Sequence, residues 1–271
     1  MIHPFDSAIA VVDDGHAVYG AKTSPAYSNM VGPFGGITAA TIVNGLQHHP
    51  DVLGDPLAFT LNYVAPIIDG DWTLRTEIVR TNRTNQHWAF TVEQNDAVVG
   101  TGTAVFGVRR DTWHDTEPSP PETPSPDDVA AVDFPDFIAW AKNYEMRFVA
   151  GSLDSGANDD STSTLWIRDE PRRPLDFPGL ASLSDTFYPR VFLRRGTYMP
   201  AGTISLTTYF HATADELAAH GDRHVLATAH ASRFGHGHFD QAGLLWGRDA
   251  EDRPVLLATT HQLVYFKDPQ G

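Results

Sequence analysis

The fold of this chain follows from two stretches of sequence, GPFGGITAATIVNGLQHH at residues 32–49 and PLDFPGLASLSDTFYPRVF at residues 174–192. Each stretch has glycine near its start and apolar residues at helical spacing, which favours a helix buried on most of its surface. The segment from Gly35 to His49 has no Asp or Glu, whereas the segment from Phe177 to Arg195 contains Asp185. The two stretches predict one helix made twice, with a carboxylate in the second copy.

Four strand-like segments follow each predicted helix. They are LAFTLNYVA, TLRTEIVRT, HWAFTVEQN and VVGTGTAVFG in the first half, and TISLTTYFHA, HVLATAHASR, QAGLLWGRD and VLLATTHQLVYF in the second. Aligning the first segments of the two sets matches Tyr63 with Tyr209. Long strands that curl around one buried helix, made twice, predict an α+β tandem (double) hot-dog with two long helices, each wrapped by an antiparallel sheet.

An acidic, proline-rich run, DTWHDTEPSPPETPSPDDVAAVDFP, lies between the two predicted copies. This composition predicts an extended linker over residues 111–135. We therefore expect a first hot-dog at residues 1–110 that acts as scaffold, and a second at 136–271 that carries the catalytic residues. The first opens with a hairpin, SAIAVV and HAVYGA around Asp14-Gly15. The second opens with a short helix over residues 136–142 and a hairpin, YEMRFVA with STLWIRD.

Composition excludes several classes of function. The chain has 271 residues, 41% of them hydrophobic, and no cysteine, so disulfides, thiolate metal sites and a cysteine nucleophile are excluded. A formal net charge of -15 disfavours binding to nucleic acid or to anionic membranes. The first residues have no basic, apolar signal pattern, and no run reaches the ~20 apolar residues of a membrane span. We expect a cytoplasmic protein.

Several well-known site motifs are missing or incomplete. There is no G-x-S-x-G, no P-loop and no convincing dinucleotide fingerprint. His236-Gly237-His238-Phe239-Asp240 resembles the opening of a metallo-hydrolase signature, but Gln241 stands where that signature has His. The favoured alternative is a glycine-containing turn with exposed histidines. We expect no metal and no cofactor.

Asp185 is the strongest candidate for chemistry. Its neighbours in sequence require burial, and a buried carboxyl has a raised pKa that suits a general base. The alternative, an Asp on a polar stripe beside Ser182 and Thr186, stays open. The glycines Gly35, Gly36 and Gly179 present backbone N–H groups at helix starts, which suit a developing oxyanion or simply close packing.

Two clusters of arginine offer local positive charge on an acidic chain. The first is Arg168, Arg172 and Arg173, and the second is Arg190, Arg194 and Arg195. Either cluster could meet an anionic ligand, and solvated arginines are the simpler explanation.

The chain resembles the acyl-CoA thioesterase II family of double hot-dog hydrolases over nearly its whole length. The resemblance lies in FGG at 34–36, LWIR at 165–168, ASLSD at 181–185, TISLTTYFH at 203–211 and LLATTHQ at 256–262. It implies that Asp185, Thr203 and Gln262 position a water for attack on a fatty acyl-CoA thioester, with neither a metal nor a covalent nucleophile. It also implies a role in lipid metabolism.

The resemblance further implies that an acyl-CoA substrate meets Gly35, Gly36, Gly179, Arg190 and Arg194. Two alternatives are a catalytically silent acyl-CoA-binding module and a hot-dog hydratase, although the Asp and His pair of the hydratases is missing. Exposed sheet edges favour a homo-oligomer. The segments at 214–224 and 247–254 lengthen the second half relative to the family, and we expect them to be turns.

Overall fold

The computed structural model describes residues 2–153 and 156–268. The helices are α1 Pro4–Ala8, α2 Gly35–Gln47, α3 Phe177–Leu183, α4 Arg190–Arg195 and α5 Ala214–His220. The strands are β1 Val12–Gly15, β2 Val18–Lys22, β3 Asp55–Tyr63, β4 Asp71–Thr81, β5 Asn85–Gln94, β6 Ala97–Gly107, β7 Tyr144–Ala150, β8 Ser163–Asp169, β9 Ala201–Phe210, β10 Val225–His230, β11 Phe234–Gly235, β12 His238–Arg248 and β13 Pro254–Phe266. Among the described residues, no helix is long and apolar enough to cross a membrane.

The strands form one antiparallel sheet that confirms the predicted duplication. Its order is β1-β2-β4-β5-β6-β3-β9-β13-β12-β10-β8-β7, with β11 paired to β12. The second half repeats the order of the first in mirror image, and each half reads as a hairpin, a helical segment and four longer strands. The halves join where β3 pairs with β9, with Leu61 opposite Leu206. The chain is thus a double hot-dog of the α+β class.

Helix α2 lies in the centre of the molecule and packs against α3. Ten of its 13 residues are buried, because the sheet curls around it and α3 covers the remaining side. The close approach requires Gly36, since a Cβ at this position would lie 2.5 Å from the carbonyl oxygen of Ser182. The apolar pattern of residues 35–47 therefore reports burial on nearly every side.

The second long helix is where the prediction is wrong. It consists of two short helices, α3 and α4, separated by residues 184–189. The hydroxyls of Ser184 and Thr186 donate to the carbonyls of Leu180 and Leu183 at 3.0 and 2.8 Å. Pro189 lacks an N–H, and its ring clashes with the carbonyl four residues earlier in a continuous helix. The break therefore lies beside Asp185.

The beginning of the chain also differs from prediction. Residues 7 and 8, expected to open the first strand of the hairpin, belong instead to α1, which has Pro4 in its first turn and Phe5 fully buried. The hairpin of β1 and β2 is correspondingly short, and its turn has positive φ at Gly15, His16 and Ala17.

Three smaller elements refine the second half. The short helix expected at 136–142 is a 3-10 helix over Ala139–Asn143, and β7 pairs with β8 as predicted. The segment 214–224 contains α5 rather than a turn, because Thr213 and Glu216 form a capping box. The segment 247–254 does turn, around the Asp249 carboxylate, which accepts from the amides of Glu251 and Arg253.

Residues 111–135 are extended and lie against the second half of the sheet. Trp166 Nε1 donates to the Pro124 carbonyl at 3.0 Å, and Arg147 donates to the carbonyls of Pro126 and Val129. Phe134 is buried near the end of the segment. This stretch joins two halves of a continuous sheet, and the division into units at 1–110 and 136–271 stays a prediction.

Candidate active site

Asp185 lies in the turn that follows α3, at the interface between the two halves. Its own amide donates to the Ser182 carbonyl at 3.2 Å, so the chain makes one tight turn after the helix ends. The side chain is partly buried and points toward the start of α2. A continuous helix at this point would carry the carboxyl further around the helix axis, so the break between α3 and α4 sets its direction.

Gln262 holds the Asp185 carboxylate from the sheet. It lies on the inward face of β13 and is buried. Its Nε2 donates to Asp185 Oδ1 at 2.9 Å and to the Ser184 carbonyl at 3.2 Å. Its Oε1 accepts from Thr203 Oγ1 at 3.2 Å. With both ends of the amide engaged, the glutamine has one orientation in which every bond is satisfied.

Thr203 reaches this position because of a β-bulge. Leu206, Thr208 and Phe210 of β9 are buried, so strict alternation would turn Thr203 away from the core. The register between β9 and β13 shifts here, with Thr203 opposite Val264 and Ser205 opposite Leu263. One extra residue in β9, at position 204, places the side chains that precede it on the opposite face from the one that strict alternation would give them. Thr203 therefore shares the inward face with Gln262.

The first half contributes the start of α2. The residue before this helix, Phe34, provides no side-chain cap, and the Gly36 amide donates instead to the Asp185 carboxylate. The first N–H groups of a helix lack partners inside it, and a carboxylate there is stabilised by the helix dipole. The glycine at position 35 leaves room for this arrangement, because a Cβ would lie 2.5 Å from Asp185 Oδ2 and 2.9 Å from the Tyr63 hydroxyl and would displace one of these groups. The first half is therefore more than a scaffold.

Burial raises the pKa of Asp185 to about 7, against the opposing effect of the hydrogen bonds from Gln262 and Gly36. The carboxyl is packed densely by protein atoms but keeps some contact with solvent. A carboxyl with this pKa is ionised in a large fraction of molecules at neutral pH, and its carboxylate is a stronger proton acceptor than that of an ordinary Asp. Those are the properties of a general base.

Gly179, predicted beside the substrate, lies at the other end of α3. Its amide donates to Asp176 Oδ1 at 2.8 Å, as the cap of that helix. A seven-residue helix is about 10 Å long, so this amide is distant from Asp185 and already has an acceptor. Gly179 serves helix capping and close packing in this arrangement.

The two predicted arginines have different surroundings. Arg190 is fully buried and donates to the carbonyls of Tyr188, Ser161 and Ala229 and to the Ser163 hydroxyl. Its burial lowers its pKa to about 9, and its donors are engaged inside the protein, so it is not placed to meet a phosphate. Arg194 is partly exposed and donates to the Asn158 carbonyl at 3.0 Å.

The histidine motif forms a tight hairpin between β11 and β12. His236 and Gly237 both have positive φ, and Gly235 pairs with His238. The carboxylate of Asp240 accepts from the amides of Ser232 and Arg233. Within residues 2–153 and 156–268, no three His, Asp or Glu side chains lie close enough to hold a metal ion.

Sequence reasoning missed Tyr63, which donates its hydroxyl to the Gly35 carbonyl at 2.9 Å. The match with Tyr209 is one residue out of register, since Tyr63 faces α2 whereas Tyr209 is on the exposed face of β9. The inward position of Tyr63, two residues after Leu61 in β3, was the available signal.

Two family models together match most of the chain. A family model for the acyl-CoA thioesterase N-terminal domain matches residues 24–107, and one for the acyl-CoA thioesterase C-terminal domain matches residues 117–266. No curated protein sequence matches.

Solved structures extend the comparison. A conserved protein of unknown function with a hot dog fold from Alicyclobacillus acidocaldarius is 42% identical, with a TM-score of 0.93 over 99% of this chain and 100% of that one. A provisionally assigned thioesterase II from Thermobifida fusca YX is 20% identical, with a TM-score of 0.82 over 98% of both chains. The tesB protein of Mycobacterium avium subs paratuberculosis is 16% identical, with a TM-score of 0.79 over 97% and 98%. At these lower identities the likeness concerns the fold.

Proposed function

The chain belongs to the acyl-CoA thioesterase II family and is a thioester hydrolase, and on this basis we propose that it hydrolyses fatty acyl-CoA through a water activated by Asp185. Thr203 and Gln262 orient that water. The observation that carries the proposal is the chain of contacts from Thr203 through Gln262 to a carboxyl whose pKa is about 7.

In the first step, Asp185 accepts a proton as the water oxygen attacks the thioester carbonyl carbon. The carbonyl π bond opens, and the negative charge moves to its oxygen. The Gly36 amide is engaged by Asp185, so other first-turn amides of α2 would stabilise this oxyanion, and one such donor is worth about 3–4 kcal/mol.

In the second step, the carbonyl bond reforms and the carbon–sulfur bond breaks. The proton on Asp185 passes to the CoA sulfur, so acid and thiol leave and the carboxylate is restored. A thiol of pKa near 8.5 leaves readily as its thiolate, so one base with a pKa near neutrality is sufficient to catalyse the hydrolysis. Thr203 and Gln262 carry no charge and contribute by orientation.

Thiol release from acyl-CoAs of short to long chain, straight and branched, tests the substrate. We expect release from at least one fatty acyl-CoA by the wild-type protein. Acyl-CoA binding without release of thiol from any of them would favour the silent binding module.

Substitution tests the roles of the site residues. Asp185→Asn keeps volume and removes the base, so kcat should fall at least about a hundredfold. In Gln262→Ala the loss of kcat should be smaller, because the base Asp185 itself remains. Asp215→Asn, an exposed change in the first turn of α5, is the matched control and should retain wild-type turnover. Near wild-type turnover by Asp185→Asn would refute the mechanism.

Two further expectations remain proposals. The chain would associate as a homo-oligomer through exposed sheet edges. CoA would be bound by positive side chains near the site, among which Arg194 remains a candidate and Arg190 does not.

A further inference from the structure

A single peptide group connects Tyr63 to Asp185. The Gly35 carbonyl and the Gly36 amide belong to the same peptide unit. On one side the Tyr63 hydroxyl donates to the Gly35 oxygen at 2.9 Å, and on the other the Gly36 N–H donates to the Asp185 carboxylate. The two hydrogen bonds therefore meet in one peptide group, and the Tyr63 hydroxyl and Asp185 Oδ2 lie 2.9 and 2.5 Å from the position that a Cβ on Gly35 would take.

We propose that Tyr63 is a positioning residue that orients and polarises the Gly35–Gly36 peptide and thereby stabilises the ionised form of Asp185. The inference rests on the proposed role of Asp185 as general base. A donor on a carbonyl oxygen draws electron density through the peptide, and the opposite N–H becomes a stronger donor, because hydrogen bonds in chains polarise one another.

The helix does not need this hydrogen bond to form. In an α-helix the carbonyl of residue 35 is the acceptor of the residue 39 amide, so the tyrosine occupies a second lone pair. Tyr63 comes from β3 of the first half, and the carboxylate comes from the turn after α3 of the second. The contact therefore links the sheet of one half to the base of the other.

Tyr63 is suited to the role because it stays protonated. Burial, and secondly the charge of Asp185, raise the pKa of its hydroxyl well above 10, so it is a permanent donor. A Cβ on Gly35 would lie within 3 Å of both the Tyr63 hydroxyl and Asp185 Oδ2, so the bare glycine lets the two groups approach. A larger residue at position 35 would separate them.

Among the described residues, few other charged or titratable side chains are placed to change the pKa of Asp185. Helices α2 and α3 contain no charged side chain, and β9 contains none either. On β13, His261 is exposed on the outer face near Asp240. Arg190, in α4, directs its guanidinium toward backbone carbonyls. Tyr63 is thus the titratable neighbour whose removal should change the base.

The test compares Tyr63→Phe with Tyr209→Phe. Both changes delete one hydroxyl from a sheet tyrosine, and Tyr209 is on the exposed face of β9, away from the site. We expect Tyr63→Phe to raise the pKa of Asp185 by about 0.5, because the carboxylate loses part of a hydrogen-bond chain worth about one ordinary bond. In kcat/KM this gives a loss of about threefold at pH 6 that vanishes near pH 9.

An unchanged profile, or an equal loss at all pH values, would overturn the proposal, since a purely structural defect would not follow the titration of the base. A second measurement does not need activity. Carbon NMR titration of the labelled Asp185 carboxyl, identified by its loss in Asp185→Asn, should show the same upward change in Tyr63→Phe and none in Tyr209→Phe. If Asp185→Asn were fully active while this change was seen, the relay would stand and the proposed function would fail. No change in the titration would refute the relay itself.

Discussion

Replacing Asp185, the proposed catalytic base, with Asn should stabilise the protein relative to wild type by an amount that increases as pH rises. Burial raises the pKa of Asp185 from 3.8 to about 7, so its ionised form is less favourable in the fold than in the unfolded chain. One pKa unit corresponds to about 1.4 kcal/mol, which gives an unfavourable contribution of about 4 kcal/mol at alkaline pH. Partial solvent contact makes this an upper value.

The pH window follows from the direction of the pKa change. Between about pH 4 and pH 7 the folded protein binds more protons than the unfolded chain at this site, so the free energy of unfolding falls as pH rises. Asn at position 185 does not titrate. The stability of Asp185→Asn relative to wild type should therefore increase by about 2 kcal/mol between pH 5.5 and pH 8, with little further change above that.

Taking a difference between two pH values removes the other effects of the substitution. Asn offers one oxygen where the carboxylate accepts from both Gly36 and Gln262, and the lost bond costs about 1 kcal/mol at every pH. Urea unfolding followed by tryptophan fluorescence at the two pH values measures the quantity, with Asp215→Asn as the control. Parallel pH dependence in Asp185→Asn and wild type would show that the carboxyl is not destabilised by burial, and the argument for a neutral-pH base would fall with it.

Two further predictions concern buried groups outside the site. Burial also raises the pKa of Asp169 to about 7, and its Oδ1 has no hydrogen-bond partner among the described residues. The free energy of unfolding of Asp169→Asn relative to wild type, measured in urea, should therefore increase by about 2 kcal/mol from pH 5.5 to pH 8, while kcat stays unchanged. Arg190→Lys cannot satisfy the carbonyls that the guanidinium reaches, so it should lower the free energy of unfolding by about 2–3 kcal/mol without changing the KM for acyl-CoA. An Arg190→Lys protein of normal stability and raised KM would return this arginine to the substrate site.

Much of the fold could be predicted because the same pattern, one apolar helix followed by four strands, occurs twice in the sequence. The helix at 35–47 and the strands after it follow from apolar period and turn residues, which act locally. The errors lie where short-range signals compete. In residues 184–189 the apolar pattern favours a helix, but Pro189 and the hydroxyls of Ser184 and Thr186 end it. In α5 a capping box converts an expected turn into a helix.

The candidate site divides in the same way. Residue types, their order and the family resemblance were sufficient to select Asp185, Thr203 and Gln262. They could not show that Thr203 faces inward, because this depends on a register shift between β9 and β13. Nor could the sequence show that the donors of Gly179 and Arg190 are occupied within the fold, since their acceptors come from a helix cap or from other parts of the chain.

By itself, the sequence determined a duplicated helix-and-sheet chain with one acid, Asp185, in the predicted buried helix of its second half. Only the tertiary structure decided that this acid lies at the start of helix α2 of the other half, where it accepts hydrogen bonds from Gln262 and from the amide of the Gly35–Gly36 peptide, to whose carbonyl Tyr63 donates. The physical reason is that periodicity records which residues are buried, whereas a pKa depends on which dipoles and donors surround the carboxyl after distant segments have packed together.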